Sequence, residues 1–172
     1  MKTAANSMRA IRVAKLTLNI GAGEAGEKLD KAKLVLERIA GAKPVTTNAH
    51  ERTTFGTPKG KPIGTKVTLR GAAAMAVLKK LLDAKERRLK PGNFDKYGNF
   101  AFGIEEYINI PGMKYDPDVG IMGLDVAVTL ERPGYRVKRR KLRPAKVGKA
   151  HQITKEDAIA FATGLGVVVS QE

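Results

Sequence analysis

The 172-residue chain contains no cysteine, only two histidines, and 17 acidic residues against 32 lysines and arginines. Without cysteine there are no disulfides, thiolate metal sites or cysteine nucleophiles, although this does not fix a compartment. No run of 18 apolar residues occurs, which excludes a transmembrane helix. The opening MKTAANSMRAIRVAK lacks the apolar centre of a secretory signal. By elimination the expected location is the cytosol. His50 and His151 fit no H-x-x-x-H ligand spacing, and neither G-x-S-x-G nor G-x-x-x-x-G-K-[ST] is present. Glu105 and Glu106, adjacent on an expected strand, would face opposite sides and cannot form a two-carboxylate acid/base pair. No internal repeat or low-complexity segment interrupts the chain.

What the chain has is positive charge. A formal net charge of +15 and a pI near 10.1 call for a polyanionic partner, with nucleic acid first and acidic membrane second. The charge is unevenly placed. Residues 1–20 hold four basic groups and no acid, 43–70 six against one, 79–90 six against two, and 131–149 nine against one. Residues 93–130 reverse the balance with two basic and six acidic groups. Such segregation implies a basic face and a neutral or acidic one. The 42% apolar and 28% charged content is that of an ordinary globular protein. The length fits one domain covering residues 1–172.

The stretch KLTLNIGAGEAG at 15–26 reads as a strand, a glycine-rich turn and the start of a helix. Leu16, Leu18 and Ile20 alternate with Lys15, Thr17 and Asn19, which gives the strand one apolar and one polar face. A helix follows over 24–40, with Leu29, Ala32, Leu36 and Ile39 at helical spacing and Gly41 as its C-cap. Strands are expected at 44–49 and 63–70, separated by ERTTFGTPKGK at 51–61. That connection is too long for a tight turn and reads as a protruding hairpin arm over about 50–62. In the strand after it, Ile63, Thr65, Val67 and Leu69 share one face while Lys66, Thr68 and Arg70 share the other. A second helix is expected over 72–88 with Met75, Leu78 and Leu82 inward. Strands are expected at 104–110 and 124–130, and a final helix begins at Thr154 behind a T-K-E-D capping box and runs to Gly164. Between them, about 131–150 form a proline-punctuated basic loop containing Arg136, Lys138, Arg139, Arg140, Lys141 and Arg143. Alternating strands interspersed with two or three helices define an α+β fold.

GAGEAG matches the G-x-G-x-x-G of a dinucleotide-binding turn, which would make the chain a cofactor enzyme. That reading requires a continuously apolar, buried parallel strand and an acid at the end of the next strand. Lys15, Thr17 and Asn19 break the first requirement, and Asn48 with Ala49 breaks the second. The glycines are read as a tight strand-to-helix turn, and no cofactor is expected. The polar residues Lys15, Thr17, Asn19, Lys66, Thr68 and Arg70 form the candidate site. Lysine neutralises phosphate, while threonine, asparagine and arginine hydrogen-bond to sugars and base edges. RNA is favoured over DNA, because sheet faces and basic arms suit irregular RNA and no recognition helix stands out. A membrane-surface role would need an amphipathic basic helix, for which the second helix is the sole candidate.

The segments LNIGAGE at 18–24, GAKPVTTNA at 41–49, PIGTKVTLRG at 62–71 and NFDKYGNFAFGIEEYINIPGMKYD at 93–116 resemble the large-subunit ribosomal protein five family, which binds 5S rRNA. RPGYRVKRRK and KAHQITKEDAIAF resemble its archaeal and eukaryotic branch, and the likeness runs over about residues 9–165. The resemblance implies helices on one side of an antiparallel sheet, with the opposite face on RNA. It implies a structural, non-enzymatic place in the central protuberance of the large subunit beside other proteins there. Family RNA contacts map onto Asn19, Thr68 and Arg70, and the matching GAKPVTTNA segment adds Lys43 and Thr46. The family's hairpin, here Arg52, Thr53, Thr54, Phe55, Gly56, Lys59 and Lys61, reaches the elbow of P-site tRNA, and the family also bridges to a protein of the small-subunit head. Large-subunit rRNA or 5S rRNA would take the 131–149 segment, which is expected to order on binding. Two departures stand out. Ala42 occupies a place where many bacterial members carry an RNA-contacting glutamine. The hairpin tip has threonine and proline where relatives carry basic residues, which weakens the tRNA contact or leaves it to Arg52, Lys59 and Lys61.

Overall fold

A computed structural model describes residues 6–52, 54 and 56–170. Strand β1, Arg12–Gly21, runs into helix α1, Glu27–Ala40, and then β2, Val45–Asn48. Strand β3, Pro62–Leu69, leads directly into α2, Gly71–Ala84. The short β4, Arg88–Leu89, is followed by β5, Phe100–Ile104, and β6, Leu124–Glu131. Helix α3, Lys155–Gly164, and β7, Val168–Val169, complete the chain. The five-stranded sheet has the order β2-β3-β1-β6-β5, and every neighbouring pair is antiparallel. β4 and β7 form a separate parallel pair. The fold is α+β.

The period-2 pattern of β1 does what its chemistry requires. Leu16, Leu18 and Ile20 are buried beside Val67 and Leu69 of β3 and Val126 and Val128 of β6. Phe100 and Phe102 of β5 extend the same face. Helices α1 and α2 cover it, α1 chiefly over β3 and α2 over β1. Val35, Leu36 and Ile39 come from α1, and Leu78, Leu81 and Leu82 from α2. Each such aliphatic side chain stabilises the fold by about 1.5–3 kcal/mol through removal from water. α1 stops where Gly41 adopts φ 61°, the left-handed conformation of a C-cap glycine. α3 starts from the predicted capping box: the Thr154 hydroxyl accepts from the Asp157 amide, and the Asp157 carboxylate accepts from the Thr154 amide.

Three expectations are corrected. α2 ends at Ala84 rather than 88, because Glu86 and Arg87 turn to φ 53° and 55° and the chain enters β4. The strand expected at 104–110 is Phe100–Ile104. Beyond it the Tyr107 amide bonds to the Met122 carbonyl, and Tyr107–Asn109 form a 3-10 turn. Glu105 and Glu106 therefore lie in a connection and not on a strand, with Glu105 reaching Lys85 at 3.7 Å. The strand-pairing of β4 with β7 has no counterpart in the sequence reading.

Candidate nucleic-acid interface

One face of the sheet carries α1 and α2; the other has no covering helix among the described residues. Strand register determines what this open face displays. One row runs Val45, Lys66, Asn19, Asp125, Gly103 across β2, β3, β1, β6 and β5. The next runs Thr68, Thr17, Ala127, Ala101, and Lys15 is paired with Thr129 beyond it. Adjacent strands lie about 4.8 Å apart, and alternate residues of a strand about 6.6–6.8 Å. Lys15, Thr17, Asn19, Lys66 and Thr68 therefore form one contiguous patch on β1 and β3. Arg70 follows on extended backbone, φ −140° and ψ 162°, at the N-cap of α2, so the alternation continues through it.

The patch is cationic on one side and flat on the other. Lys15, Lys66 and Arg70 are exposed, and none has a carboxylate partner among the described residues. The α1 cations differ: Lys28, Lys31, Lys33 and Arg38 are each held by Glu24, Glu27, Asp30 and Asp116. Intramolecular neutralisation is thus concentrated on the helix side. Toward β5 the open face is floored by Ala127, Ala101 and Gly103, with Asp125 as an acceptor. Gly64 keeps the β2–β3 end equally low. A Cβ there would lie 2.9 Å from the Thr47 Oγ1 and 3.0 Å from the Ile20 carbonyl.

The remaining sequence-selected residues fall into three groups. Lys43 is exposed in the connection before β2. Thr46 is paired with Thr65, which is in turn paired with Ile20 on the helix-covered side; Thr47 is the β2 threonine on the open face. Thr46 is half-buried and lies off the open face. The arm between β2 and β3 is a true hairpin, since Ala49 and Lys61 extend the ladder with an N–H···O bond of 2.9 Å. Arg52, Thr54, Gly56 and Lys59 are exposed along it and Lys61 is half-buried; Thr53 and Phe55 lie outside the described residues.

Arg136, Lys138, Arg139, Arg140, Lys141 and Arg143 are all exposed, yet the base of their segment is fastened to the body. Glu131 at the end of β6 holds both Arg12 and Arg139. Buried Arg132 donates to the carbonyls of Gln152 and His151 and to the Asp157 carboxylate. Buried Tyr135 accepts from the Ile153 amide and donates to the His151 carbonyl. The Arg132 and Tyr135 bonds were not found from sequence, because they join residues 16 to 25 positions apart, mostly through backbone groups. His151 is part of the clasp, its Nε2 lying 2.8 Å from the Pro133 carbonyl. Asp157 is held below the usual carboxylate range, first by the Thr154 amide and further by the Thr154 hydroxyl and Arg132.

The glycine turn after β1 is used internally. The amides of Ala22 and Gly23 both donate to the Ile63 carbonyl, and Gly26 caps α1. β1 itself lies between two antiparallel neighbours. A dinucleotide turn needs free amides after a parallel strand, so that reading fails.

A helix-backed antiparallel sheet with a polar open face, a hairpin arm and a clasped basic segment defines a class: an α+β scaffold with a broad, cation-bearing open surface and no enclosed active site among the described residues. Residues 62–161 match the C-terminal part of the ribosomal protein L5 family, and residues 6–54 match Ribosomal protein L5. The large ribosomal subunit protein uL5 of Nanoarchaeum equitans is 55% identical over 157 residues, which is 90% of this chain and 92% of the relative. Those of Sulfurisphaera tokodaii and Sulfolobus acidocaldarius are 52% and 50% identical, each over 91% of this chain and 89% and 88% of their own. The chain belongs to the ribosomal protein L5 family. It is a structural, non-enzymatic component of the large ribosomal subunit and works in the cytoplasm as part of the ribosome.

Proposed function

We propose that the chain binds 5S rRNA on the open face of its sheet and helps attach it in the central protuberance. Lys15, Lys66 and Arg70 neutralise phosphates, and Thr17, Asn19 and Thr68 hydrogen-bond to sugars and base edges. Lys43 extends the patch at the β2 end. The hairpin arm, through Arg52, Lys59 and Lys61, contacts the elbow of P-site tRNA, and the chain bridges to a protein of the small-subunit head. The segment carrying Arg136, Lys138, Arg139, Arg140, Lys141 and Arg143 adds further phosphate contacts to 5S or large-subunit rRNA. The observation that carries the reading is the in-register meeting of Thr17 with Thr68 and Asn19 with Lys66 on an uncovered face.

The test is binding of purified chain to 5S rRNA across a salt series. Affinity is expected to fall steeply with salt, by one logarithmic slope contribution of about 0.7–0.9 for each phosphate neutralised. The double variant Thr68→Ala with Arg70→Ala is expected to lose about 2–4 kcal/mol, by analogy with other polar nucleic-acid contacts. Unchanged affinity in that variant removes both residues from the interface.

A further inference from the structure

The geometry points to a second, pocketed RNA-contact site that receives the base of a single unstacked nucleotide, at the junction of the open sheet face and the basic segment. A cavity of about 480 Å³ lies there, walled by Tyr97, Tyr135, Val147 and Ile153, with Lys138 and Lys146 among its lining residues. Its size is that of a small-ligand site. Thr129 also lines it and is the register partner of Lys15, so the mouth continues directly onto the phosphate-binding patch. The inference rests on the RNA-binding reading for its biological occupant, but its chemistry stands separately.

Three observations specify a nucleotide. The walls are aromatic and aliphatic, and the exposed Tyr97 ring, with the Lys96 ammonium 5.2 Å from its centroid, supplies a π surface for a base to stack on. No carboxylate lines the cavity, while two ammonium groups do, which suits an anionic ligand. Lys138 lies 5.0 Å from the Tyr135 ring centroid, a cation–π contact that holds its charge at the rim. Asn99, also in the lining, donates its Nδ2 to Asp95 and leaves its Oδ1 as an acceptor for a base amino group.

The site is built rather than incidental. The Asp95 carboxylate accepts from the Tyr97 and Asn99 amides at 2.8 and 2.7 Å, fixing the turn that presents both residues. Gly98, at φ 80°, lets that turn lie directly on Ile153, where a Cβ would meet Cγ2 at 2.3 Å. The opposite wall is pinned by Gln152, whose Nε2 donates to the Val147 carbonyl at 3.0 Å.

The experiment titrates the full chain with 5′-AMP, GMP, CMP and UMP in turn, followed by NMR at the Val147 and Ile153 methyls and the Tyr97 ring. Saturable, ring-current-sized shifts confined to these groups are expected. Tyr97→Ala should abolish them, and Lys138→Gln with Lys146→Gln should weaken nucleotide but not the uncharged nucleosides. Equal shifts with inorganic phosphate, shifts scattered over other lysine clusters, or no shifts overturn the site. In the 5S rRNA assay Tyr97→Ala should lower affinity about 5- to 150-fold, the range for one stacked base, with an unchanged salt slope. No loss in a variant that folds normally overturns the site's role in rRNA binding. Nucleotide uptake by a wild-type chain that ignores 5S rRNA overturns the 5S reading and retains the pocket.

Discussion

Replacing Arg132 with alanine should detach the basic segment from the body, and the structure sets the size of the effect. The Arg132 side chain is 9% exposed and its Nη2 lies 3.0 Å from an Asp157 carboxylate that is 36% exposed. Its Nη1 donates to the Gln152 carbonyl at 3.1 Å and to that of His151 at 3.4 Å. Hydrogen bonds to charged groups contribute about 1.5–3 kcal/mol each. Two corrections reduce the sum. Asp157 keeps its bonds to Thr154 and has water access, so losing Arg132 does not strand a buried charge. The Arg132 Nε is buried without a partner, and that desolvation cost disappears with the side chain. A loss of about 2–3 kcal/mol remains. With a urea slope of about 2 kcal/mol/M, the midpoint should fall by about 1–1.5 M at constant slope. Hydrogen exchange should rise at Ile153 and across 133–152 before it rises in the sheet. A cycle with Asp157→Asn should give a coupling of at least about 1 kcal/mol. A midpoint shift below about 0.3 M, or additive single losses, refutes the clasp.

Three further outcomes follow from particular contacts. Gly98→Ala combines a left-handed φ with a 2.3 Å approach to Ile153, so thermal or urea unfolding should report a loss of about 2–4 kcal/mol. The carboxyls of Asp157, Glu27 and Asp116 are all held low, by Thr154, Lys31 and Arg38 respectively. A depressed pKa stabilises the fold above the unfolded-state value and loses that contribution as pH falls, so the unfolding temperature should be flat above about pH 5 and drop below about pH 4. Asp157→Asn should flatten part of that drop. Lys79→Ala with Lys80→Ala, exposed on α2 at the helix side, should leave the salt slope of 5S rRNA binding unchanged, whereas Lys66→Ala should reduce it by about 1.

Much of this was legible in the residues for a simple reason. β1, β3 and β6 have one wet and one dry face, and a period of two identifies such strands without knowledge of their neighbours. Leu16, Val67 and Leu69 therefore pointed inward and Lys15, Lys66 and Thr68 outward before any pairing was known. The register across strands was a different matter. Thr46 and Thr47 are chemically identical neighbours, and only pairing with Thr65 and Gly64 decides which one faces outward. Likewise Ile104, Ile108 and Ile110, all at even spacing, imitate strand alternation, while tertiary bonding turns 107–109 into a 3-10 helix. The run KERRLK favours helix by propensity, but the β4–β7 pairing ends α2 early, and two-residue strands leave no periodic trace. The Arg132 clasp and the Tyr97 pocket escaped because both depend on which distant carbonyls and rings the fold brings together.

The strand order has a consequence for how the molecule is made. β1, the earliest strand of the chain, sits at the centre of the finished sheet, and one of its partners lies more than a hundred residues downstream, as in Thr17 with Ala127. The other, β3, arrives much sooner with α1 and α2 around it. At about 5–20 residues per second, the nascent chain spends several seconds with β2, β3 and β1 able to pair and β6 still unmade. During that interval the half holding Lys15, Lys66 and Arg70 can assemble, and one edge of β1 stays open until β6 closes it. Assembly therefore gives this protein its cationic half before its flat half, with one edge of the central strand unpaired in the meantime.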